Sequence, residues 1–312
     1  MTVTVMNVLM RSLVEPHLPD WVEPRWFSSH EELIELAPQA EIGWFDTFDF
    51  DHTRAAMRAG TSLVWLNTIA AGVESFPLDV LEERGVVLTN GAGLNAVPIA
   101  EYIVMAMLVI AKGYREVARS HERREWLTEA PGTASLNGTK LLIVGAGGIG
   151  RRTRTLLAPW GVDITEVRRS ASNGALGPDE WRARLGEFDW VLCLVPSSDR
   201  TEAMFGQAEF TAMKQGAAFL NFARGELADQ DALMASLDAG HLGAAWLDVA
   251  VPEPLPAEHP LWRYDNVHIS SHLSGRSQDT LFRLGAERFV ENLGNWKRGE
   301  PLVARVDYDL GY

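Results

Sequence analysis

The sequence predicts an α/β protein of two doubly wound parallel-sheet domains with a cleft between them. Strand-like apolar runs alternate with amphipathic stretches of about ten residues, the pattern of parallel βαβ units. This alternation runs from Met1 to about Val97 and starts afresh at Lys140. At 312 residues the chain is long enough for two cores, one for each series. A long apolar helical pattern separates the series and another closes the chain. The expected division is residues 1–97 plus 277–312 for one domain and 98–276 for the other.

The first series reads "TVTVMNVL", "SHEELIELA", "EIGWF", "DHTRAAMRAG", "SLVWLNT", "FPLDVLEERG" and "VVLTN", strands separated by helices. From Asn95, "NAVPIAEYIVMAMLVIAKGYREVARSH" reads as one long helix with Pro98 in its first turn, where a missing N–H is harmless. The second series opens with strand "KLLIVGAG" and a helix from about Ile149 to Pro159. Strands "DITEV" and "WVLCLVP" follow, then helix "AEFTAMK", strand "AAFLNFA", helix "DQDALMASLDAG" and strands "GAAWLDV" and "NVHISS". The closing helix, "SQDTLFRLGAERFVENLGNWKRG", is long enough to cross back and pack on the first domain, making that domain discontinuous.

A formal net charge of −14 argues against nucleic acid or an anionic membrane as a partner, because those surfaces reward excess Lys and Arg. Of the 28 basic residues, 24 are arginine, so a local basic site stands out mainly by its position. Cys193, the only cysteine, lies in the apolar run "WVLCLV" and reads as a buried thiol, not a nucleophile. No secretory pattern opens the chain, and the longest apolar stretch, "IVMAMLVIA", is about half a membrane span. A cytoplasmic enzyme without a metal is expected.

Gly145, Gly147 and Gly150 in "GAGGIG" follow the apolar strand "LLIV" and open a helix. This context makes the pattern a dinucleotide-binding fingerprint. The first glycine permits the tight turn, the second admits a pyrophosphate, and the third allows helix and strand to pack closely. Gly148 and Ile149 belong to the same phosphate-facing turn, at a helix N-terminus. Beyond the next strand, where an acidic residue usually accepts a ribose hydroxyl, the chain has Arg168, Arg169 and Ser170. A guanidinium takes a 2′-phosphate through paired hydrogen bonds, so NADP(H) is expected over NAD(H). Glu166 leaves NAD(H) or dual use open if it turns toward the ribose.

Three later blocks place polar groups at strand ends, where open α/β sheets bind ligands. "LNFARGELAD" carries Arg224, "LDVAVPEPLP" carries Asp248 and Glu253, and "VHISSHLSG" carries His272. A histidine, a carboxylate and an arginine suit reduction of a keto acid. The carbonyl oxygen gains charge as hydride arrives and needs a proton, which an imidazolium supplies. A nearby carboxylate favours and orients that imidazolium, and a guanidinium grips the substrate carboxylate.

In order and content these blocks resemble the arginine, glutamate and histidine motifs of the D-isomer-specific 2-hydroxyacid dehydrogenases. With "GAGGIG" and "GVVLTNGAGLNAVPIAEY", the likeness runs from about residue 60 to 295. It implies a flavodoxin-like substrate domain and a Rossmann cofactor domain. It also implies that Arg224 binds substrate carboxylate and carbonyl, that Glu253 partners His272, and that His272 is the acid/base. Asp248 is similar to the family residue near the nicotinamide amide. "NTIAAGVESF" resembles the substrate loop, whose N–H groups near Ala71, Gly72 and Val73 hold the carboxylate. Val195, Pro196, Thr201, Phe222, Ala223, Ser274 and Gly275 complete the expected cofactor contacts.

Two departures stand out: Ser271 replaces the proline that the family usually writes before its histidine, and Ser274 stands where alanine is frequent. The short chain is not expected to carry the serine-binding regulatory region of long phosphoglycerate members. Together with the arginine pair, it looks more like the glyoxylate/hydroxypyruvate reductase branch or broad 2-ketoacid reductases. Trp44, Phe45 and Asp46 end a predicted strand, and Trp44 is a candidate pocket wall, with core packing expected for at least one of the two aromatics. Trp262 reads as a structural anchor. By analogy the chain forms a homodimer through the cofactor domain, using the helix from Asn95 and the arm "SHERREWLTEAPG". Two other readings remain: a cofactor-sensing corepressor, and a dehydrogenase of formate or phosphite.

Overall fold

The computed structural model describes residues 1–47, 49–169 and 174–311, with the side chains of Gln278 and Asp279 outside that description. The chain divides into two compact units, Met1–Asn95 with Ser277–Tyr312, and Ala96–Arg276. Both are parallel-sheet α/β structures.

In the first unit, strands β1 (Thr2–Asn7), β2 (Val22–Phe27), β3 (Ile42–Trp44), β4 (Trp65–Asn67) and β5 (Val87–Thr89) form a parallel sheet in the order β2-β1-β3-β4-β5. Helices α1 (Arg11–Val14), α2 (His30–Leu36), α3 (Phe50–Ala59) and α4 (Leu78–Glu83) connect them. Successive strand residues face opposite sides. Val5 and Leu66 therefore join Leu33, Met57 and Leu81 in one core cluster, while Met6 and Trp65 join another. The closing helix of the chain, Gln278–Arg298, adds Ala286, Phe289 and Leu293 to that second cluster, at the spacing of a single helical face.

Strand β2 has no counterpart in the sequence pattern. Its segment "VEPRWF" does not alternate cleanly and contains Pro24, which normally argues against a strand. β2 lies at the sheet edge and pairs only with β1, so the missing proline donor is tolerated there.

The second unit opens with α5 (Ala96–Lys112) and α6 (Tyr114–Arg123). Sequence periodicity reads these as one helix, but they meet at 70°. Gly113 makes the bend: its φ is +60°, and a Cβ there would sit 2.7 Å from the carbonyl carbon of Pro131. Left-handed geometry and backbone contact together require glycine. Strands β6 (Lys140–Val144), β7 (Asp163–Val167), β8 (Trp190–Cys193), β9 (Ala218–Asn221), β10 (Ala244–Leu247) and β11 (Val267–Ile269) form a parallel sheet ordered β11-β10-β9-β8-β6-β7. Helices α7 (Gly148–Leu157), α8 (Gln207–Ala212) and α9 (Gln230–Asp238) belong to this unit, and α10 is the closing helix of the first.

Apolar clusters cover both faces of the second sheet, which is why its strands read as near-continuous hydrophobic runs. Ile103, Ala106 and Met107 of α5 are buried in one of these clusters. Among the described residues, no single helix is long and apolar enough to cross a membrane. In each unit the strand order reverses beside the first strand, between β1 and β3 and between β6 and β8, the places where such sheets bind ligands.

Candidate active site

The glycine turn leaves the tip of β6 at the switch point of the second sheet. Gly145 has a φ of +103°, and a Cβ there would stand 2.6 Å from the Leu194 carbonyl carbon. At Gly150 a Cβ would come within 3.2 Å of the Gly145 oxygen and Ile143 Cγ2, so helix and strand pack at glycine distance. Gly147 is different, because a Cβ there meets nothing within 4 Å. Its bareness keeps space open in front of α7, whose first-turn N–H groups, those of Gly148, Ile149 and Gly150, have no intrahelical acceptors. An open cradle before a ten-residue helix N-terminus fits a dinucleotide pyrophosphate.

At the tip of β7, Glu166 is 5% exposed and its Oε2 accepts from Arg168 Nε at 3.1 Å and Nη2 at 2.7 Å. Arg154 Nε of α7 stands 3.2 Å from the other carboxylate oxygen. The glutamate is thus buried between two guanidiniums, and it fixes one edge of the Arg168 fork. Arg169 is exposed, and Ser170 lies outside the described residues.

The strand ends that follow carry Arg224, Glu253 and His272, the candidate reactive groups. Arg224 leaves β9 in an extended conformation; its carbonyl accepts from Asn221 Nδ2 at 2.8 Å and its Nη1 donates to Ala223 O at 2.8 Å. Gly225 is required next, since a Cβ would lie 2.4 Å from the Ala250 carbonyl carbon. The arginine loop therefore presses on the segment that carries Glu253. Gln230 braces that segment from α9, accepting from Val251 N at 3.0 Å and donating to Val251 O at 2.6 Å. Glu253 Oε1 accepts from Ala250 N at 3.1 Å, and Glu253 Oε2 lies 2.8 Å from His272 Nδ1. Glutamate, held at one oxygen by backbone, thus fixes the ring of a half-exposed histidine through the other.

The histidine loop has its own anchor. Asp248 is 3% exposed; its Oδ1 accepts from Ser270 Oγ at 2.7 Å, Leu273 N at 3.2 Å and Ser274 N at 3.3 Å. Ser274 Oγ donates to Oδ2, and the Asp248 carbonyl accepts from His272 N. Ser274 was expected among cofactor contacts, but both its N–H and its hydroxyl turn inward to Asp248. Thr201 Oγ1 donates to Pro196 O at 2.9 Å and accepts from Ser198 N at 2.9 Å, closing the loop after β8. Val195 is partly buried, and Gly275 follows the histidine loop. Phe222 is 5% exposed and meets Tyr102 edge-on, while Ala223 N donates to Asn221 Oδ1. Cys193 is fully enclosed, and burial pushes its thiol up to about 12, leaving it protonated and inert.

In the first unit, Ala71, Gly72 and Val73 follow β4 in a loop tied at both sides. The N–H groups of these three residues have no partner among the described residues. Trp44 requires correction as a pocket residue: it is fully buried and its ring packs against Phe289 at 5.0 Å, so it belongs to the core. Phe45 is equally buried. Trp262 keeps substantial exposure, with its Nε1 donating to Pro256 O at 2.9 Å.

Residues 104–274 match the D-isomer specific 2-hydroxyacid dehydrogenase, NAD binding domain family. Over 276 residues the chain is 30% identical to a glyoxylate/hydroxypyruvate reductase B from Salmonella gallinarum, covering 85% of this chain and 83% of the relative. The chain belongs to the D-isomer specific 2-hydroxyacid dehydrogenase family. A family protein from Aeromonas salmonicida has the same fold over 99% of both chains, with 25% identity and a TM-score of 0.85. An NADPH-dependent glyoxylate/hydroxypyruvate reductase from Sinorhizobium meliloti, solved with NADP and sulfate, shares the fold at 21% identity and a TM-score of 0.80, covering 100% of this chain and 99% of that one.

This D-2-hydroxyacid dehydrogenase is therefore a nicotinamide-dependent oxidoreductase. Its departure at Ser271 has a backbone consequence. Ser271 and His272 have φ values of +49° and +56°, a region that a proline ring, locked near −65°, does not reach. Two features escaped sequence reasoning. The pairing of Arg154 with Glu166 joins a helix to a strand, and only the alternation "DITEV", which points Glu166 and Ile164 to one face, hints at it. Ser270 was not singled out in the sequence, yet it bridges Trp246 Nε1 and Asp248.

Proposed function

We propose that this enzyme reduces a small 2-keto acid of the glyoxylate or hydroxypyruvate class to its D-2-hydroxy acid, with NADPH preferred over NADH. The 2.8 Å pairing of His272 Nδ1 with Glu253 carries the reading. It assigns the Nδ1 edge to the carboxylate and leaves Nε2 for the substrate oxygen. The bound nicotinamide supplies the hydride in reduction and accepts it in oxidation. As the keto carbon gains hydride, His272 gives its Nε2 proton to the carbonyl oxygen, and Glu253 orients the ring throughout. Arg224 holds substrate carboxylate and carbonyl through its planar fork, and the N–H groups of Ala71, Gly72 and Val73 take the carboxylate. In the reverse direction neutral His272 accepts the hydroxyl proton.

The cofactor preference rests on Glu166. Its Oε2 is taken by both Arg168 donors and its buried Oε1 lies 3.2 Å from Arg154 Nε without a hydrogen bond, so only that enclosed oxygen is left for a ribose hydroxyl, whereas Arg168 offers a positioned cation to a 2′-phosphate. Gly145, Gly147 and the first turn of α7 would hold the pyrophosphate, with Val195, Pro196, Thr201, Ala223 and Gly275 along the remaining strand ends. Homodimerisation through this unit is supported by the apolar side chains exposed on α5, α6 and the arm beyond, above all Trp126 at 94%.

Initial-rate oxidation of NADPH and NADH with glyoxylate, hydroxypyruvate, pyruvate, 2-ketoisocaproate and phenylpyruvate tests this. Higher kcat/KM with NADPH and a two-carbon or three-carbon acid is expected. His272→Ala should lower turnover by about 100-fold or more while NADPH binding persists. Reduction should slow and oxidation quicken as pH rises. Near-normal turnover in the variant, or pH profiles moving together, would refute the acid/base role.

A further inference from the structure

We propose that Asp46 is a positioning residue for substrate binding: its carboxylate fixes the Thr68–Val73 loop so that the N–H groups of Ala71, Gly72 and Val73 stay available to a substrate carboxylate. The inference rests on the role of that loop in the proposed reaction.

Asp46 follows β3 at the switch point of the first sheet, and its carbonyl accepts from Asn7 Nδ2 at the end of β1 at 3.0 Å. Three donors converge on its carboxylate. Trp44 Nε1 and Ile69 N each reach Oδ2 at 2.7 Å, and Thr68 Oγ1 reaches Oδ1 at 2.6 Å. The threonine hydroxyl then accepts from Ala70 N at 3.0 Å. The N–H groups of Ile69 and Ala70 are thereby committed, one directly and one through Thr68.

The opposite side of the loop is held from the end of β5. Thr68 N donates to Thr89 O at 2.9 Å and Gly91 N to Ala70 O at 2.8 Å, while Asn90 Nδ2 donates to Ala71 O at 2.8 Å. A Cβ on Gly91 would lie 1.9 Å from Ile69 O, so the two segments touch through backbone. Phe76 N closes the far end on Val73 O at 2.9 Å. Of the loop's backbone donors, those of residues 68 to 70 are committed and those of 71 to 73 are not. The N–H groups of exposed Ala71, partly buried Gly72 and buried Val73 thus stand uncommitted beside a rigidly tied segment, open to an acceptor.

An ionised acid at position 46 accepts from all three donors. An amide would keep both N–H donors on its oxygen and let the Thr68 hydroxyl reverse toward its NH2, so the substitution that perturbs the loop is one that removes both acceptors, Asp46→Ala. Burial raises the Asp46 pKa above the usual carboxylate range, so the arrangement is held against a desolvation cost. Electrostatics alone points the other way, because a negative charge near an anion-binding loop repels a keto acid. Geometry and charge therefore predict opposite signs for one substitution.

The test is Asp46→Ala in the enzyme. If Asp46 positions the loop, KM for glyoxylate or hydroxypyruvate rises about tenfold, with kcat and KM for the cofactor within about twofold of wild type. Trp44→Phe keeps an aromatic ring in the core and removes one donor, and should raise KM two- to fourfold. A KM that stays constant or falls in Asp46→Ala overturns the proposal, as does a loss confined to kcat. Amide hydrogen exchange gives a second reading that needs no turnover: Ile69 and Ala70 should exchange faster in Asp46→Ala, and unchanged exchange overturns the proposal. Absence of keto-acid turnover in the wild type itself would instead overturn the functional reading on which the proposal rests. Should Asp46→Ala fail to fold, Trp44→Phe decides on the same KM criterion.

Discussion

Replacing Arg168 with alanine should weaken NADPH much more than NADH. In the native chain one edge of the guanidinium is bound by Glu166, at 3.1 Å and 2.7 Å, and the side chain is 35% exposed. A charge-assisted bond to a phosphate contributes about 1.5–3 kcal/mol, so its loss corresponds to a rise of roughly 10- to 150-fold in KM for NADPH. NADH lacks the 2′-phosphate and should change by no more than about twofold.

The substitution also affects stability. Glu166 would remain buried with only Arg154 beside it at 3.2 Å, at a cost of about 1–3 kcal/mol, less than that of a wholly stranded ion because Arg154 persists. Arg168→Ala combined with Glu166→Gln removes the stranded charge, and should recover much of that stability without recovering NADPH affinity. Initial rates against each cofactor at saturating keto acid, with thermal melts of both variants, separate the effects. Equal rises in KM for NADPH and NADH would refute the 2′-phosphate role of Arg168.

Two further outcomes follow from backbone and charge. Ser271→Pro should destabilise the histidine loop and lower kcat at least tenfold, because proline does not reach a φ of +49°, whereas Ser271→Gly should leave kcat near wild type; equal kcat values in the two variants would contradict this account. His268 is held down to about 4 by burial and by Arg115 and Arg119, against an ordinary value of 6.5. Its contribution to stability is therefore complete above pH 6.5 and lost as pH falls toward 4, since the unfolded chain takes up the proton first. A His268 imidazole resonance that titrates near 6.5 in the folded protein would disprove it.

The alternation of strands and helices, the glycine turn and the three candidate catalytic blocks are legible as letters because each depends on neighbours a few residues away. Side-chain period, turn conformation and helix initiation are local properties, and in parallel sheets the reactive residues fall at strand ends by the same local logic. The bend at Gly113 was missed for a different reason. Helical periodicity continues on both sides of it, and the contact with Pro131 that bends the chain is not a periodic signal.

Other features were decided only when distant segments met. β2 exists because an edge position tolerates Pro24, and edge or centre is a property of the whole sheet. Trp44 and Phe45 looked alike as strand-end aromatics, and the return of α10 with Phe289 made Trp44 part of the core. The surroundings of Glu166 were set when α7 brought Arg154 to 3.2 Å from it. Asp46 meets the Ile69 N–H across 23 positions of chain. The chemistry of such groups was written in their residue types, but their partners, and hence their charge balance and task, were set by tertiary approach: hydrogen bonds and ion pairs form over about 3 Å in space without regard to separation in sequence.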